Sequence, residues 1–285
     1  MDNIINLIDD KFEELTSSQK KAAIYIRNNS RELAFSNVKK TAEKSGVSEA
    51  TIVRLSRKLG FDGYTHFQKK MQSFVLEKRT TTRLNEFITE DNRNGSWLEK
   101  HFSQEMQNLN STLEYSQEKS INICAGKILS SDKIYITGWR AELALSSPLS
   151  YILNYTLGNT HMVEHYEAAE ILSKTGTNDL FFVCGFPRYS KHSLKIASRA
   201  KSYGAFVITL TDSELSPFVR YADISLFTSI NSKGFLDSYT AALSLTNALI
   251  KEIAFLAPER VYKNLERIEE NFKYFDEAYK WEDQI

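Results

Sequence analysis

The sequence predicts two domains: an all-α helix-turn-helix domain, then an α/β domain of three layers with helices on both faces of a parallel five-stranded sheet. Three observations carry this reading. The length, 285 residues, exceeds the about 100–200 residues of a single domain. Near the N-terminus, a short helix, a turn around Gly46 and a capped helix follow one another. From Lys133 onward, short apolar runs alternate with helical segments, the order that builds a parallel sheet covered on both sides.

Composition excludes several classes. The chain is 42% hydrophobic and 25% charged with only 4 Pro and 11 Gly, which fits a helix-rich globular protein and not a disordered or collagen-like one. Two cysteines, Cys124 and Cys184, make neither a disulfide framework nor a four-thiolate zinc site; their apolar neighbours mark them as buried thiols. Met1 to Asp10 holds three aspartates and no basic residue, unlike a secretory leader. No apolar run approaches the ~20 residues of a membrane helix. The richest, Ala241 to Ala257, is interrupted by Thr246, Asn247, Lys251 and Glu252. The expectation is a cytoplasmic protein without membrane partner, metal or cofactor.

Thr16-Ser17-Ser18-Gln19 has the form of a capping box, and Ala22, Ala23, Ile24 and Ile26 behind it read as a core-facing helix. A second helix is predicted at Asn37 to Lys44. Ser45-Gly46-Val47 then turns the chain, with a glycine free to take positive φ. Ser48 caps a third helix, Glu49 to Leu59, which Gly60 ends. This is the helix-turn-helix layout.

The charge of the chain is unevenly spread. Basic and acidic residues number 36 each, yet Ser36 to Arg79 carries 10 basic against 4 acidic side chains. Such a block suits a polyanionic partner. On the third helix, Ile52, Leu55 and Leu59 share one face and must pack inward. Ala50, Val53, Arg54 and Arg57 lie opposite, with Thr51 and Lys58 at the margin. Arg54 or Arg57 could pair with guanine and Ala50 could touch a thymine methyl in a major groove. Ser48 and Thr51, at the helix N-terminus, suit phosphate contacts.

These residues also carry a resemblance. Leu15 to Met71 resembles the N-terminal domain of the RpiR family of bacterial transcription regulators. The run Gly46-Val47-Ser48-Glu49-Ala50-Thr51-Ile52-Val53-Arg54, followed by Lys58-Leu59-Gly60-Phe61-Asp62-Gly63-Tyr64, is specific to it. The resemblance implies a helical domain binding double-stranded operator DNA within a homodimer or homotetramer. The candidate DNA contacts are Ser48, Glu49, Ala50, Thr51, Arg54, Arg57 and Lys58.

Thr80 to Ser96 is polar and reads as a hinge with one short helical piece, Leu84 to Ile88. From Trp97, the positions Leu98, Phe102, Met106, Leu109 and Leu113 recur at fours and threes. That spacing argues a long amphipathic helix, packed on the second domain or on a partner helix.

In the second domain, strands are predicted at Ile134 to Ile136, Thr160 to Glu164, Leu180 to Cys184, Ala205 to Leu210 and Ile224 to Thr228. Helices fall between the first strand and Leu157, at Glu167 to Lys174, at Ser190 to Tyr203 and at Asp237 to Leu256. Ligands of such sheets bind beyond the carboxyl ends of the strands, near the switch in strand order. Two loops meet that description: Gly138-Trp139-Arg140-Ala141-Glu142 and Gly185-Phe186-Pro187-Arg188-Tyr189-Ser190. Each leads into a helix N-terminus, where free amides favour an anion. Arg140 and Arg188 add guanidinium forks suited to phosphate or carboxylate, unless acids such as Glu142 or Glu164 pair with them. The candidate effector residues are Gly138, Arg140, Glu142, Gly185, Arg188, Tyr189 and Ser190.

This half resembles the sugar isomerase (SIS) domain, which usually follows an RpiR-type helix-turn-helix. The resemblance is carried best by Ala200-Lys201-Ser202-Tyr203-Gly204-Ala205, Val207-Ile208-Thr209-Leu210-Thr211-Asp212, Ser216-Pro217 and Tyr221-Ala222-Asp223. The family pattern has Gly-x-Gly-x-Ser after the first strand; here Arg140 and Glu142 replace the second Gly and the Ser. The usual Ser-x-Ser-Gly-x-Thr loop reads Gly185 to Ser190, keeping a hydroxyl only at its last place. A small anionic effector held by charge more than by hydroxyls is expected.

His161, His165 and His192 fall near strand ends or helix starts and are the candidates for a general base. Without a nucleophile triad, a metal-spaced set or a nucleotide loop beside them, no catalysis is expected. The rival reading is a sugar-phosphate isomerase-like enzyme with a DNA-binding head; an adaptor of protein partners is a third. Glu259 to Trp281 places Val261, Leu265, Ile268, Phe272, Phe275 and Tyr279 on one seam, to pack on its own domain or on another subunit. The chain thus divides into a DNA-binding domain at 1–79, a linker at 80–104, a SIS domain at 105–257 and a C-terminal amphipathic helix at 258–285.

Overall fold

The computed structural model describes residues 4–34, 36–77, 80–89, 96–115, 118–232 and 234–276. They form two units, one within 1–104 with the segments 213–216 and 231–237, the other within 105–212, 217–230 and 238–285.

The first unit begins with α1 (Ile4–Lys11), α2 (Ser17–Asn28), α3 (Ser30–Ala34), α4 (Val38–Ser45), α5 (Glu49–Lys58) and α6 (Tyr64–Glu77). The Thr16 capping box forms: the hydroxyl accepts from Gln19 N, and the Gln19 side chain accepts from Thr16 N. Ala22, Ala23 and Ile26 of α2 join Ile52, Leu55, Leu59, Phe67 and Met71 in one core. Each of these larger side chains contributes roughly 1.5–3 kcal/mol by leaving water. Ile24, expected to face inward, is 50% exposed, because a one-face helix cannot bury three of four adjacent positions.

The predicted hinge is more helical than its composition suggests. α7 spans Thr80–Thr89 and α8 spans Trp97–Tyr115, with 90–95 outside the described residues. Arg83 of α7 donates to Asp237 Oδ1 at 2.8 Å and to Gly234 O at 3.2 Å, both in the same unit.

The second unit is a three-layer domain. Its elements run α9 (Glu118–Ser130), β1 (Ile134–Thr137), α10 (Leu143–Leu157), β2 (Thr160–Met162), α11 (Ala168–Ser173), β3 (Leu180–Cys184), α12 (Lys191–Ser202), β4 (Phe206–Thr211), β5 (Ile224–Phe227), α13 (Thr240–Leu256) and α14 (Pro258–Phe275). The strands are parallel in the order β2-β1-β3-β4-β5. Alternation divides their side chains between two cores. Ile134, Ile136, Leu180, Phe182, Ile208 and Leu210 meet α9, α10 and α13 on one face. Tyr135, Phe181, Val183 and Val207 meet α11 and α12 on the other.

One strand boundary changes here, and two helices with open alternatives take the following places. β2 ends at Met162, short of Glu164. The last helix belongs to the second unit over its first turns: Val261 is buried, Leu265 packs on the core and Asn264 Nδ2 donates to Thr156 O. Its Phe272 stacks on Tyr155, while Tyr279 and Trp281 lie outside the described residues. The apolar stripe of α8 does not pack inward, since Met106 and Leu113 are 56% and 75% exposed. The buried row is polar: Ser238 Oγ donates to Glu105, Ser229 Oγ donates to Asn108 Oδ1, and the hydroxyls of Thr112 and Thr228 share a hydrogen bond. Among the described residues no single helix is long and apolar enough to cross a membrane.

Candidate functional site

In the first unit, the turn between α4 and α5 is built as its residues require. Gly46 adopts φ +63° and its N–H closes α4 on Ala42 O and Glu43 O. Lys21 of α2 clamps the turn, donating from Nζ to Gly46 O at 3.2 Å. Ser48 caps α5 by accepting from Thr51 N at 3.2 Å. Ile52 and Leu55 anchor the helix in the core, leaving Ser48, Glu49, Ala50, Arg54, Arg57 and Lys58 exposed.

Two members of the predicted DNA-contacting set also make contacts within the domain. Thr51 is buried; its hydroxyl shares a hydrogen bond with Ser48 Oγ at 2.9 Å and accepts from Arg54 at 3.5 Å. Its hydroxyl thus supports the cap of α5. Lys58 Nζ donates to Glu14 O at 2.9 Å, with the Glu14 carboxylate at 3.7 Å. Val53, expected outward, is half-buried against the core. Arg57 makes no hydrogen bond or ion pair among the described residues, so the exterior of α5 presents Arg54 and Arg57 as its cations.

In the second unit, the chain leaves β1 for β2 on one side and returns to β3 on the other, so the switch in strand order lies between β1 and β3. Both candidate loops issue from that point. Gly138 is pressed against Cys184 at the end of β3: a Cβ on it would lie 3.2 Å from Cys184 Cβ and 2.8 Å from Ser146 Oγ. Arg140 opens a short 3-10 turn (Arg140–Glu142) that runs into α10. Ser190 caps α12, accepting from Ser193 N at 3.2 Å. Two helix N-termini thus stand beside the two loops.

The arginines are held in an uncommon backbone geometry. Arg140 has φ +58° and Arg188 φ +71°, the left-handed region that costs a residue with a Cβ about 1–3 kcal/mol. Both side chains are exposed. Tyr189 is tied across the sheet edge: its hydroxyl donates to Asp212 Oδ1 at 2.9 Å, and Thr211 Oγ1 donates to Gly185 O at 2.6 Å. Glu142 is buried; burial first, then the Glu142 charge, push the Cys184 thiol well above its ordinary range.

The comparisons with known proteins agree with this division. Residues 2–75 match the model of the helix-turn-helix domain of the rpiR family, and residues 127–252 match that of the SIS domain. This chain is an RpiR-family transcription regulator. An HTH-type transcriptional regulator of Clostridium perfringens is 22% identical over 255 residues, covering 88% of this chain and 91% of its own. The regulator HexR of Pseudomonas aeruginosa is 23% identical over 228 residues, 79% of each chain. Among solved structures, the Vibrio vulnificus NanR protein complexed with ManNAc-6P superposes with a TM-score of 0.61 at 20% identity, covering 96% of this chain and 99% of NanR.

In this RpiR-family chain the two left-handed arginines stand where the SIS loop patterns place glycines: Arg140 at the second Gly of the first loop, Arg188 at the Gly of the second. The backbone path is kept and the side chain is changed. Position 185, a serine in that pattern, is a glycine filled from outside, because Phe218 occupies the space its side chain would take. Phe218 was not foreseen; it lies 33 residues further along the chain and only packing reveals it.

The three histidines separate into two settings. His161 Nε2 is 2.8 Å from Glu167 Oε1, and a backbone hydrogen bond from Glu164, followed by the imidazole, holds the Glu167 carboxyl below its usual range. His165 and His192 instead stack face to face, centroids 3.9 Å apart, and both meet the Trp139 ring edge-on at 5.0 and 5.2 Å. This aromatic cluster, which includes a loop residue outside the predicted set, borders the same carboxyl edge of the sheet. Among the described residues no group of three or more metal-ligating side chains occurs.

Proposed function

We propose that the α/β domain of this regulator senses a small anionic metabolite of the sugar-phosphate class at the edge between β1 and β3. Arg140, Arg188 and Ser190 bind its anionic group, Gly138 and Gly185 let the loops close, and Tyr189 and Glu142 fix the loop positions. The observation that carries this reading is the pair of left-handed arginines beside two helix N-termini. Backbone strain of this kind persists where the surroundings hold it for function, and the amides and guanidinium groups there favour an anion. ManNAc-6P bound to NanR supports a phosphorylated sugar as the class.

The output is operator binding through α5, with Arg54 and Arg57 on base edges and Ser48, Glu49, Ala50 and Lys58 along its flank. Effector and DNA are coupled through a difference in effector affinity between two arrangements of the DNA-reading helices. A homodimer or homotetramer is the assembly this requires, and the exposed apolar stripe of α8 supports self-association. The protein acts on DNA in the cytoplasm and catalyses no reaction, a reading supported by regulators among its relatives.

Isothermal titration with a panel of sugar phosphates and carboxylates tests the effector. At least one phosphate ester should bind, and Arg188→Ala should weaken it tenfold or more, taking a charge-assisted contact as roughly 1.5–3 kcal/mol. Unchanged affinity in that variant removes Arg188 from the site. Turnover of a sugar phosphate by the purified protein would instead favour the isomerase reading.

A further inference from the structure

The part of the site that the arginines leave unused is aromatic. Trp139 follows Gly138 off β1, His165 lies beyond β2, and His192 sits in the first turn of α12. Their rings form the contact set already described, the two stacked imidazoles each touching the indole. Two buried polar atoms in this set make no hydrogen bond among the described residues: Trp139 Nε1 and His192 Nε2. Leaving a buried polar group unpaired costs about 1–3 kcal/mol, so two in rings that touch mark a place suited to a polar group.

The chemistry of the two ring atoms narrows what that is. An indole N–H only donates. Burial first, then the neighbouring His165 and Lys195, pull the pKa of His192 below the ordinary imidazole value, so its ring is neutral near pH 7 and offers one bare nitrogen. An oxygen that accepts from Trp139 while giving a proton to an imidazole nitrogen belongs to a hydroxyl or to a water. Phosphoryl and carboxylate oxygens only accept, and they have the arginine loops.

We propose that Trp139 and His192 hold one hydroxyl of a polyol effector, the indole N–H donating to its oxygen and its proton directed to His192 Nε2. His165 is a positioning residue, fixing the imidazole by stacking. The site then reads two features at once: an anion at Arg140 and Arg188, and a hydroxyl at the aromatic cluster. This inference rests on the reading of the two loops as the effector site.

The test uses the full chain with inorganic phosphate, a set of hexose 6-phosphates and their monodeoxy counterparts. The variants are Trp139→Phe and His192→Phe, which keep the rings, with Arg188→Ala as the control for the anion. The best-binding hexose phosphate should weaken about tenfold in either ring variant, the worth of one buried hydrogen bond. Inorganic phosphate should bind as before. One deoxy analogue should lose the same factor against the unmodified protein and nothing further against the ring variants. Loss of affinity for every probe alike, or for none, overturns the proposal while leaving the anion site standing. A hexose phosphate that ignores Arg188→Ala, or a panel in which nothing binds, overturns the loop reading and this inference with it. Should His192→Phe fail to fold, Trp139→Phe decides by the same criteria.

Discussion

The ring of Phe218 stands where a side chain on Gly185 would have to be: a Cβ built at Gly185 would lie 2.1 Å from Phe218 Cε2 and 2.4 Å from Cζ. The glycine and the phenyl ring are one unit, and the serine of the SIS loop pattern cannot return alone. Gly185→Ser should destabilise the protein by about 1–3 kcal/mol, the usual cost of overpacking. In a Phe218→Ala background, itself about 3–5 kcal/mol less stable, the same change should cost far less. Urea unfolding of the four proteins measures the coupling; additive losses would remove the contact as the reason for Gly185.

Arg140 and Arg188 trade stability for charge. Replacing either with glycine relieves a left-handed backbone and should raise stability by about 1 kcal/mol, while the same variants bind anion more weakly. Arginine to alanine should lose binding without the gain in stability. Thermal unfolding beside titration with the bound phosphate ester separates the two. If the glycine variants melt lower than the parent, the loop strain is not real.

On α5, Arg54→Gln and Arg57→Gln should each weaken operator binding by about 1–3 kcal/mol and make affinity less sensitive to salt. Lys58→Gln should do less, because its ammonium is already engaged by Glu14. Thr51→Ala should act through stability, since the hydroxyl is buried beside the Ser48 cap. Fluorescence anisotropy on an operator duplex at several salt concentrations gives the ranking. A Lys58 effect as large as that of Arg57 contradicts it.

Tyr64 ties α6 to α4: its hydroxyl donates to Ser36 O at 2.6 Å and shares a hydrogen bond with Thr41 Oγ1 at 2.7 Å. Burial pushes the phenol up to about 12, with the Thr41 contact working weakly against it. A folded value above the ordinary 10 means the contribution is full below pH 10 and is lost as pH rises toward 12. Tyr64→Phe should cost about 1–2 kcal/mol near neutrality and flatten the alkaline fall in stability. An identical alkaline limb in both proteins assigns that fall to other groups.

Much of this fold is legible in local sequence. The five apolar residues Leu180 to Cys184 form β3 to the residue, and Gly46 and Ser48 mark the turn and cap where the chain uses them. What escapes is whatever depends on distant partners. Periodicity in α8 reveals two faces but not which one is buried; the partners of Glu105, Asn108 and Thr112 lie 116 to 133 residues away. The helix α9 is a different case: its buried Ile121, Cys124, Ala125 and Ile128 stand at helical spacing and are within reach of the sequence. At the effector edge, loop positions and both arginines were readable. The Gly185–Phe218 exchange and the Trp139 cluster were not, since neither has a spacing rule.

The polar row of α8 fixes more than its orientation. Oily surfaces slide over one another at little loss, whereas pegs in sockets do not. Advancing this helix by one turn, about 5.4 Å, would unseat Glu105, Asn108 and Thr112 from their sockets simultaneously. From Glu105 onward this helix therefore has a single seating within the second unit, with its outward Met106 and Leu113 left exposed.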